Sequence, residues 1–145
     1  MTDYSELLDD GRVKQGRFAR RQVEDCLRIA QRDVDTARSV IESSPEWAFN
    51  IAYNAMHQAG RAFMFHAGYR TLGEGHQATV VRFLEIGLGP DFESTLALLD
   101  RMRRKRNRAT YDMVGAVSLN EAREAISVAE EFVAEIAARL KNTAE

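Results

Sequence analysis

The chain has 145 residues, of which 45% are hydrophobic and 29% are charged, a composition typical of one globular domain and not of a disordered chain. Its formal net charge is −2, so overall charge does not direct it to nucleic acid or to a membrane. Its acidic start has no apolar run, and no stretch approaches the roughly 18 apolar residues of a membrane span, so we expect neither a signal peptide nor a transmembrane helix.

The single cysteine, Cys26, excludes an internal disulfide. A chain without disulfides fits a reducing compartment, so we expect a cytoplasmic location. The three histidines have no zinc-site spacing, and the sequence contains no Glu-x-x-His pair of the kind that di-metal bundles use. We therefore predict no metal site and no cofactor.

The chain begins with a polar segment, residues 1–16, which contains two glycines and which we predict to be an arm that is loosely ordered apart from one helical turn. The predicted domain covers 17–142. Its first helix is predicted over 17–42, because apolar residues recur there at alternating spacings of three and four. These residues are Val23, Leu27, Ala30, Val34, Ala37 and Ile41.

The second predicted helix begins after Ser44, a suitable N-cap, has Pro45 in its first turn and ends at Gly68. One of its faces is a stripe of alanines, which favours close helix packing. A second stripe is polar and consists of Asn50, Asn54, His57 and Arg61. We favour a solvated face for this polar stripe; the alternative is that it faces a cleft next to Arg106.

Three further helices are predicted, over about 76–87, from a cap at Asp91 through 92–112, and from the capping box of Ser118 and Glu121 to about 140. Few breakers and short connections favour an antiparallel arrangement. The predicted fold is therefore all-α, an up-down antiparallel bundle of four to five helices.

The fourth of these helices is rich in cations, with six between residues 101 and 108. Arg106 lies on the apolar line of this helix, which otherwise carries Leu99, Met102, Ala109 and Met113. The pattern allows two interpretations: Arg106 closes the apolar line at a solvated rim, or it binds phosphate in a cleft between helices or at a dimer interface.

Four segments, taken in order, resemble the HEPN superfamily, and in particular its small stand-alone proteins of bacteria and archaea. They are AFNIAYNAMHQAGRAFMFH at 48–66, AGYR at 67–70, His76, and RRKRNRATYD at 103–112. The resemblance covers about 18–140. It implies a helical bundle that commonly forms a homodimer, and a metal-independent ribonuclease site. In that site an arginine holds the scissile phosphate, and a histidine a few residues later is the general base.

Arg106 and Asn107 match the arginine and polar positions of that motif, whereas Tyr111 occupies the histidine position. A neutral tyrosine, with a pKa near 10, is a poor general base at pH 7. We therefore predict an RNA- or nucleotide-binding role without the usual catalysis. Arg106, Asn107 and Tyr111 are the candidate motif residues, and further candidate binding residues are Asn54, His57, Arg61 and Arg103.

Two alternatives stay open: an active metal-independent endoribonuclease, with His57 in place of the missing base, and a purely structural homodimeric interaction module. The resemblance also implies a toxin–antitoxin or defence system. In related systems a minimal nucleotidyltransferase partner adenylylates a tyrosine near the motif, which makes Tyr111 a candidate target.

Overall fold

The fold is described by a computed structural model, which covers the backbone of residues 2–111 and 116–142 and the side chains of 2–106 and 116–141. It confirms the predicted all-α helical bundle. The helices are α1 (Ser5–Asp9), α2 (Arg20–Val40), α3 (Pro45–Ala67), α4 (His76–Leu88), α5 (Glu93–Tyr111) and α6 (Leu119–Asn142). Two short strands, β1 (Val13–Gln15) and β2 (Tyr69–Thr71), pair antiparallel.

Helix α3 is the central element and contacts α2, α4, α5 and α6. Its alanine stripe is fully buried, which lets the neighbouring helices approach closely. Gly60 extends this stripe toward α4: a Cβ atom there would lie 2.7 Å from Val80 Cγ1. Small side chains on α3 therefore set the distances between α3 and the helices packed against it.

The helix ends confirm the local sequence signals at two of the three predicted start sites. The Ser44 hydroxyl accepts a hydrogen bond from the Trp47 amide, and Gly68 closes α3 with a φ of 90°. Ser118 and Glu121 cap α6 reciprocally, at 3.1 and 3.2 Å. The prediction of Asp91 as the cap of α5 is wrong, because Asp91 lies inside a 3-10 turn and α5 begins after it.

The N-terminal segment contains the predicted helical turn, α1, and also the strand β1, which a loosely ordered arm would not form. Three of its apolar side chains are buried, with Tyr4 7%, Leu7 0% and Val13 2% exposed, whereas Leu8 is 36% exposed. The Tyr4 ring stacks on Phe83 of α4 with centroids 3.9 Å apart. Strand β1 then pairs with β2, a feature too short to show as alternation in the sequence. The division of the chain between residues 16 and 17 stays a prediction.

Among the residues that the structure describes, no helix has both the length and the apolar character needed to cross a bilayer.

Candidate functional site

The centre of the candidate site is the contact between Arg106 on α5 and Tyr53 on α3. The guanidinium carbon of Arg106 lies 5.5 Å from the centroid of the Tyr53 ring. Arg106 is half-buried, and its Nε atom is buried without a hydrogen-bond partner in the described part of the chain. The side chain is thus anchored on a ring face and retains hydrogen-bonding capacity.

Tyr53 provides an apolar platform for this arginine. Its side chain is 1% exposed, and this burial raises the pKa of its hydroxyl to about 12 although Arg106 and Arg103 act in the opposite direction. Tyr53 is therefore neutral at pH 7 and offers its ring face, not a counter-charge, to Arg106. The charge of Arg106 consequently has no carboxylate partner among the described side chains.

His57 follows Tyr53 by one helical turn on α3, and their rings are 6.1 Å apart with an interplanar angle of 20°. Burial lowers the pKa of His57 to about 4, and the charges of Arg61 and Arg106 act in the same direction. His57 is therefore neutral at pH 7. His57, Asn54 and Arg61 are half-buried and Asn50 is buried, which does not fit the favoured interpretation of the polar stripe as a solvated face.

Two other members of the polar stripe, Asn54 and Arg61, have hydrogen-bond partners. Asn54 donates a hydrogen bond of 2.6 Å to Asp33 of α2, a carboxylate that is only 6% exposed. Arg61 donates to Gln58 at 3.2 Å, and its guanidinium carbon lies 5.3 Å from the Phe65 ring centroid. Asn54 thus contacts α2, whereas the charges of Arg61 and Arg106 both lower the pKa of His57.

Much of the positive charge on α5 is compensated. Arg103 and Arg104 both bind the carboxylate of Asp100, Arg103 at 2.9 Å. Lys105 binds Glu121 of α6 at 2.6 Å, and this hydrogen bond lowers the pKa of Glu121. Three of the five cations whose side chains are described in this run therefore have carboxylate partners, Arg103 and Arg104 sharing one.

Two cations of α5, Arg101 and Arg106, form no ion pair within the described side chains. Arg101 is exposed, whereas Arg106 is held at the Tyr53 ring. The side chains of Asn107, Arg108 and Tyr111 lie outside the described residues. Among the predicted site residues whose side chains are described, Arg106 contacts Tyr53 and its charge acts on His57, whereas Arg103 pairs with Asp100.

A cavity of about 380 Å³ adjoins His57 on its Arg61 side. Sequence reasoning did not predict this cavity, because its lining comes from α2, α3, β2, α4 and the segment before α2. The lining residues are Phe18, Gln22, His57, Arg61, Met64, Phe65, Arg70, Thr71, His76 and Val80. His76 Nδ1 lies 2.6 Å from the Thr71 hydroxyl, so the tautomer of His76 decides which of them donates.

Within the described side chains, no three histidine, cysteine or carboxylate groups come together as metal ligands. The functional groups that lie near one another are cationic side chains, aromatic rings and the neutral imidazole of His57. This set is suited to binding an anion, and phosphate in particular.

Comparison with known proteins identifies the family. A family model described as "HEPN domain" matches residues 23–140. No curated protein shows significant similarity to the chain. Among solved structures, the chain is similar to the crystal structure of TT1696 from Thermus thermophilus, with 20% identity and a TM-score of 0.64; the match covers 82% of this chain and 98% of that one. At this identity the structural likeness concerns the fold, and the family match covers most of the bundle. The chain belongs to the HEPN domain family.

Proposed function

We propose that this HEPN domain binds RNA through a phosphate contact at Arg106 and does not cleave RNA by the histidine-dependent mechanism. The observation that carries the proposal is the state of Arg106: it is held against the Tyr53 ring, and its Nε lacks a hydrogen-bond partner in the described structure. A guanidinium held in this way binds a phosphate oxygen with little loss of side-chain freedom.

Two facts argue against the usual catalysis. The sequence has Tyr111 where the family resemblance implies a histidine. His57 is the candidate replacement for the missing base. The charge of Arg106 acts on it, and its pKa of about 4 makes it a weak base at pH 7. A general base is most effective when its pKa lies near the working pH, so His57 is a poor replacement for the missing group.

The test is a titration of a fluorescein-labelled single-stranded RNA, followed by fluorescence anisotropy. We expect Arg106→Ala to weaken binding about tenfold, because a charge-assisted contact to phosphate is lost. Arg101→Ala is the matched control, since Arg101 is an exposed cation of the same helix. It should weaken binding less than about threefold. Equal losses in both variants would mean that Arg106 has no special role.

An active nuclease is the second candidate, and the proximity of His57 to Arg106 favours it. It predicts RNA cleavage that persists with a chelator and disappears in both Arg106→Ala and His57→Gln. The proposal predicts that RNA incubated with the wild-type protein is cut no faster than RNA incubated with Arg106→Ala.

The family resemblance adds two proposals about partners. The first is a homodimer, which would bring two Arg106 sites into one cleft. Light scattering during size-exclusion chromatography would give the mass of one or two chains.

The second is a nucleotidyltransferase that adenylylates Tyr111. Incubation with such an enzyme and ATP would then add one adenylyl group to the wild-type chain and none to Tyr111→Phe. If light scattering gives the mass of one chain and Tyr111 is not adenylylated, both proposals about partners fail. The remaining proposal is then a monomeric RNA-binding domain.

A further inference from the structure

The charged groups that act on His57 are all cationic. The charges of Arg61, on the next turn of α3, and of Arg106 on α5 oppose a proton on its ring, and so does His76 on α4. Arg70 of β2 lines the same cavity, and none of the described residues that line this cavity is acidic. Negative charge is therefore what these surroundings lack, and an anion that arrives there would favour the protonated ring.

The ring of His57 is within reach of protons from solvent. Its side chain is half-buried and lines the cavity of about 380 Å³. Helix α2 and the segment before it contribute the uncharged Gln22 and Phe18 to the lining. The lining on that side therefore adds neither a competing base nor a counter-charge, and the state of His57 depends on the cations of α3, β2, α4 and α5.

His57 and Arg106 lie beside the same aromatic ring. The His57 ring is 6.1 Å from that of Tyr53, and the guanidinium carbon of Arg106 is 5.5 Å from the Tyr53 centroid. Tyr53 is neutral at pH 7, because burial raises its pKa to about 12. A phosphate at Arg106 therefore acts on His57, since charges interact over roughly 8–10 Å in salt solution and over longer distances in a partly buried site.

We propose that RNA binding at Arg106 is coupled to protonation of His57, so that the protein takes up a proton from solvent as RNA binds. The proposal rests on the proposed function and adds a regulation of the same site. Coupling between two bound species is reciprocal, so a protein that gains a proton on binding RNA also binds RNA more tightly as the pH falls. His57 would then strengthen RNA binding in mildly acidic solution and have little effect at neutral pH.

The direction of the effect follows from the two states of His57. Without RNA, burial and the neighbouring cations hold its pKa at about 4. The negative charge of a bound phosphate acts against these cations and raises this pKa. In mildly acidic solution the complex therefore carries more protons than the free protein. Affinity should rise as the pH falls from 7 toward about 5 and level out below the pKa of the free protein.

The test is calorimetry with an unlabelled oligouridylate at pH 5.5, in two buffers that differ in ionisation enthalpy. Uracil takes up no proton in mildly acidic solution, unlike adenine and cytosine, so the difference in heat reports protons bound by the protein. We expect the wild type to take up about half a proton per RNA, and His57→Gln less than about half of that amount. Circular dichroism at the same pH and temperature checks that both are folded.

Two further variants separate the inference from the proposed function. His66→Gln should retain the wild-type proton uptake, because His66 is a histidine of the same helix that does not line the cavity. Arg106→Ala should reduce RNA affinity and proton uptake together. If Arg106→Ala binds RNA as tightly as the wild type, the proposed function fails and the inference fails with it. If binding depends on Arg106 but His57→Gln takes up as many protons as the wild type, the inference alone fails.

NMR of the His57 ring tests the same coupling in the unaltered chain. The ring signals of His57, assigned by their loss in His57→Gln, are followed through a pH titration with and without saturating oligouridylate. We expect RNA to move the midpoint of the His57 titration upward by about one pH unit or more, and that of His66 by less. A His57 midpoint that stays unchanged or falls when RNA is bound would overturn the proposal.

Discussion

The guanidinium of Arg106 lies on the face of Tyr53, 5.5 Å from the ring centroid, and joins α5 to the central helix α3. This contact holds Arg106 against the bundle and disfavours the interpretation of a side chain that only closes the apolar line at a solvated rim; phosphate binding at Arg106 stays a proposal. The arginine neither extends freely at a rim nor forms a described ion pair. It is held by a neutral ring, and the neutral His57 follows one helical turn later.

The role of the ring is tested by changing Tyr53. Tyr53→Phe keeps the ring face and should leave RNA affinity within about twofold of the wild type. Tyr53→Leu removes the ring and should weaken RNA binding about fivefold, in line with the loss of a partly desolvated cation–π contact. Anisotropy titrations of the two variants measure this, at a temperature where circular dichroism shows that both are folded. Equal affinities would contradict the platform role.

The pH dependence of stability tests the burial of His57. In the unfolded chain His57 takes up a proton near its ordinary pKa of 6.5, whereas in the folded chain it does so only near 4. The unfolded state therefore binds more protons between these values, and stability falls as the pH drops from about 6.5 toward 4. Between pH 7 and pH 5 His57 should account for a loss of about 2 kcal/mol.

Chemical unfolding at pH 7 and at pH 5 measures this loss. His57→Gln should remove most of it, because the variant has no group that titrates at this position. His66→Gln is the control, since burial also lowers the pKa of His66 but that side chain lies nearer the surface. The account of His57 is wrong if the wild type and His57→Gln lose the same free energy of unfolding.

The approach of α3 and α4 is tested at Gly60. A Cβ atom at this position would lie 2.7 Å from Val80 Cγ1 and 3.0 Å from Leu84 Cδ1. We expect Gly60→Ala to lower the free energy of unfolding by about 1–3 kcal/mol, because the buried helix interface has to shift. Gly16→Ala, whose nearest neighbour is the Phe18 ring at 3.4 Å, should cost less. Thermal or denaturant unfolding measures both costs. If Gly60→Ala costs no more than Gly16→Ala, Gly60 does not set the distance between α3 and α4.

The hydrogen bond between Asn54 and Asp33 predicts a structural effect. Asn54→Ala removes a 2.6 Å donor from a buried carboxylate and should lower the free energy of unfolding by about 1–3 kcal/mol. RNA affinity should stay within about twofold, because the amide of Asn54 is directed to α2. A double-mutant cycle with Asp33→Ala measures the coupling, and additive costs would show that the two residues do not stabilise each other.

Local features of the fold are readable from the sequence. The N-cap Ser44, the C-cap Gly68 and the capping box of Ser118 and Glu121 depend on neighbours within a few residues, so their signals survive in the sequence. Long apolar periodicities are equally local. Asp91 shows the limit of this reasoning, since a suitable cap residue lies there inside a 3-10 turn.

The environment of the site is not readable in the same way. The lowered pKa of His57 depends on packing and on charges from other helices. A polar stripe on one helix does not show which neighbours cover it. The cavity beside His57 has the same origin, because Phe18, Arg70 and His76 come from three different parts of the chain. The polarity of the N-terminal arm predicts disorder, although three apolar side chains suffice to anchor it.

The most direct test of the central claim, a phosphate contact at Arg106, is the salt dependence of RNA binding. The logarithm of the association constant falls linearly with the logarithm of salt concentration, with a slope of about −0.7 for each phosphate neutralised on a single strand. We predict that Arg106→Ala reduces the steepness of this slope by about 0.7 relative to the wild type, whereas Arg101→Ala changes it less. An Arg106→Ala slope equal to that of the wild type would contradict a phosphate contact at Arg106.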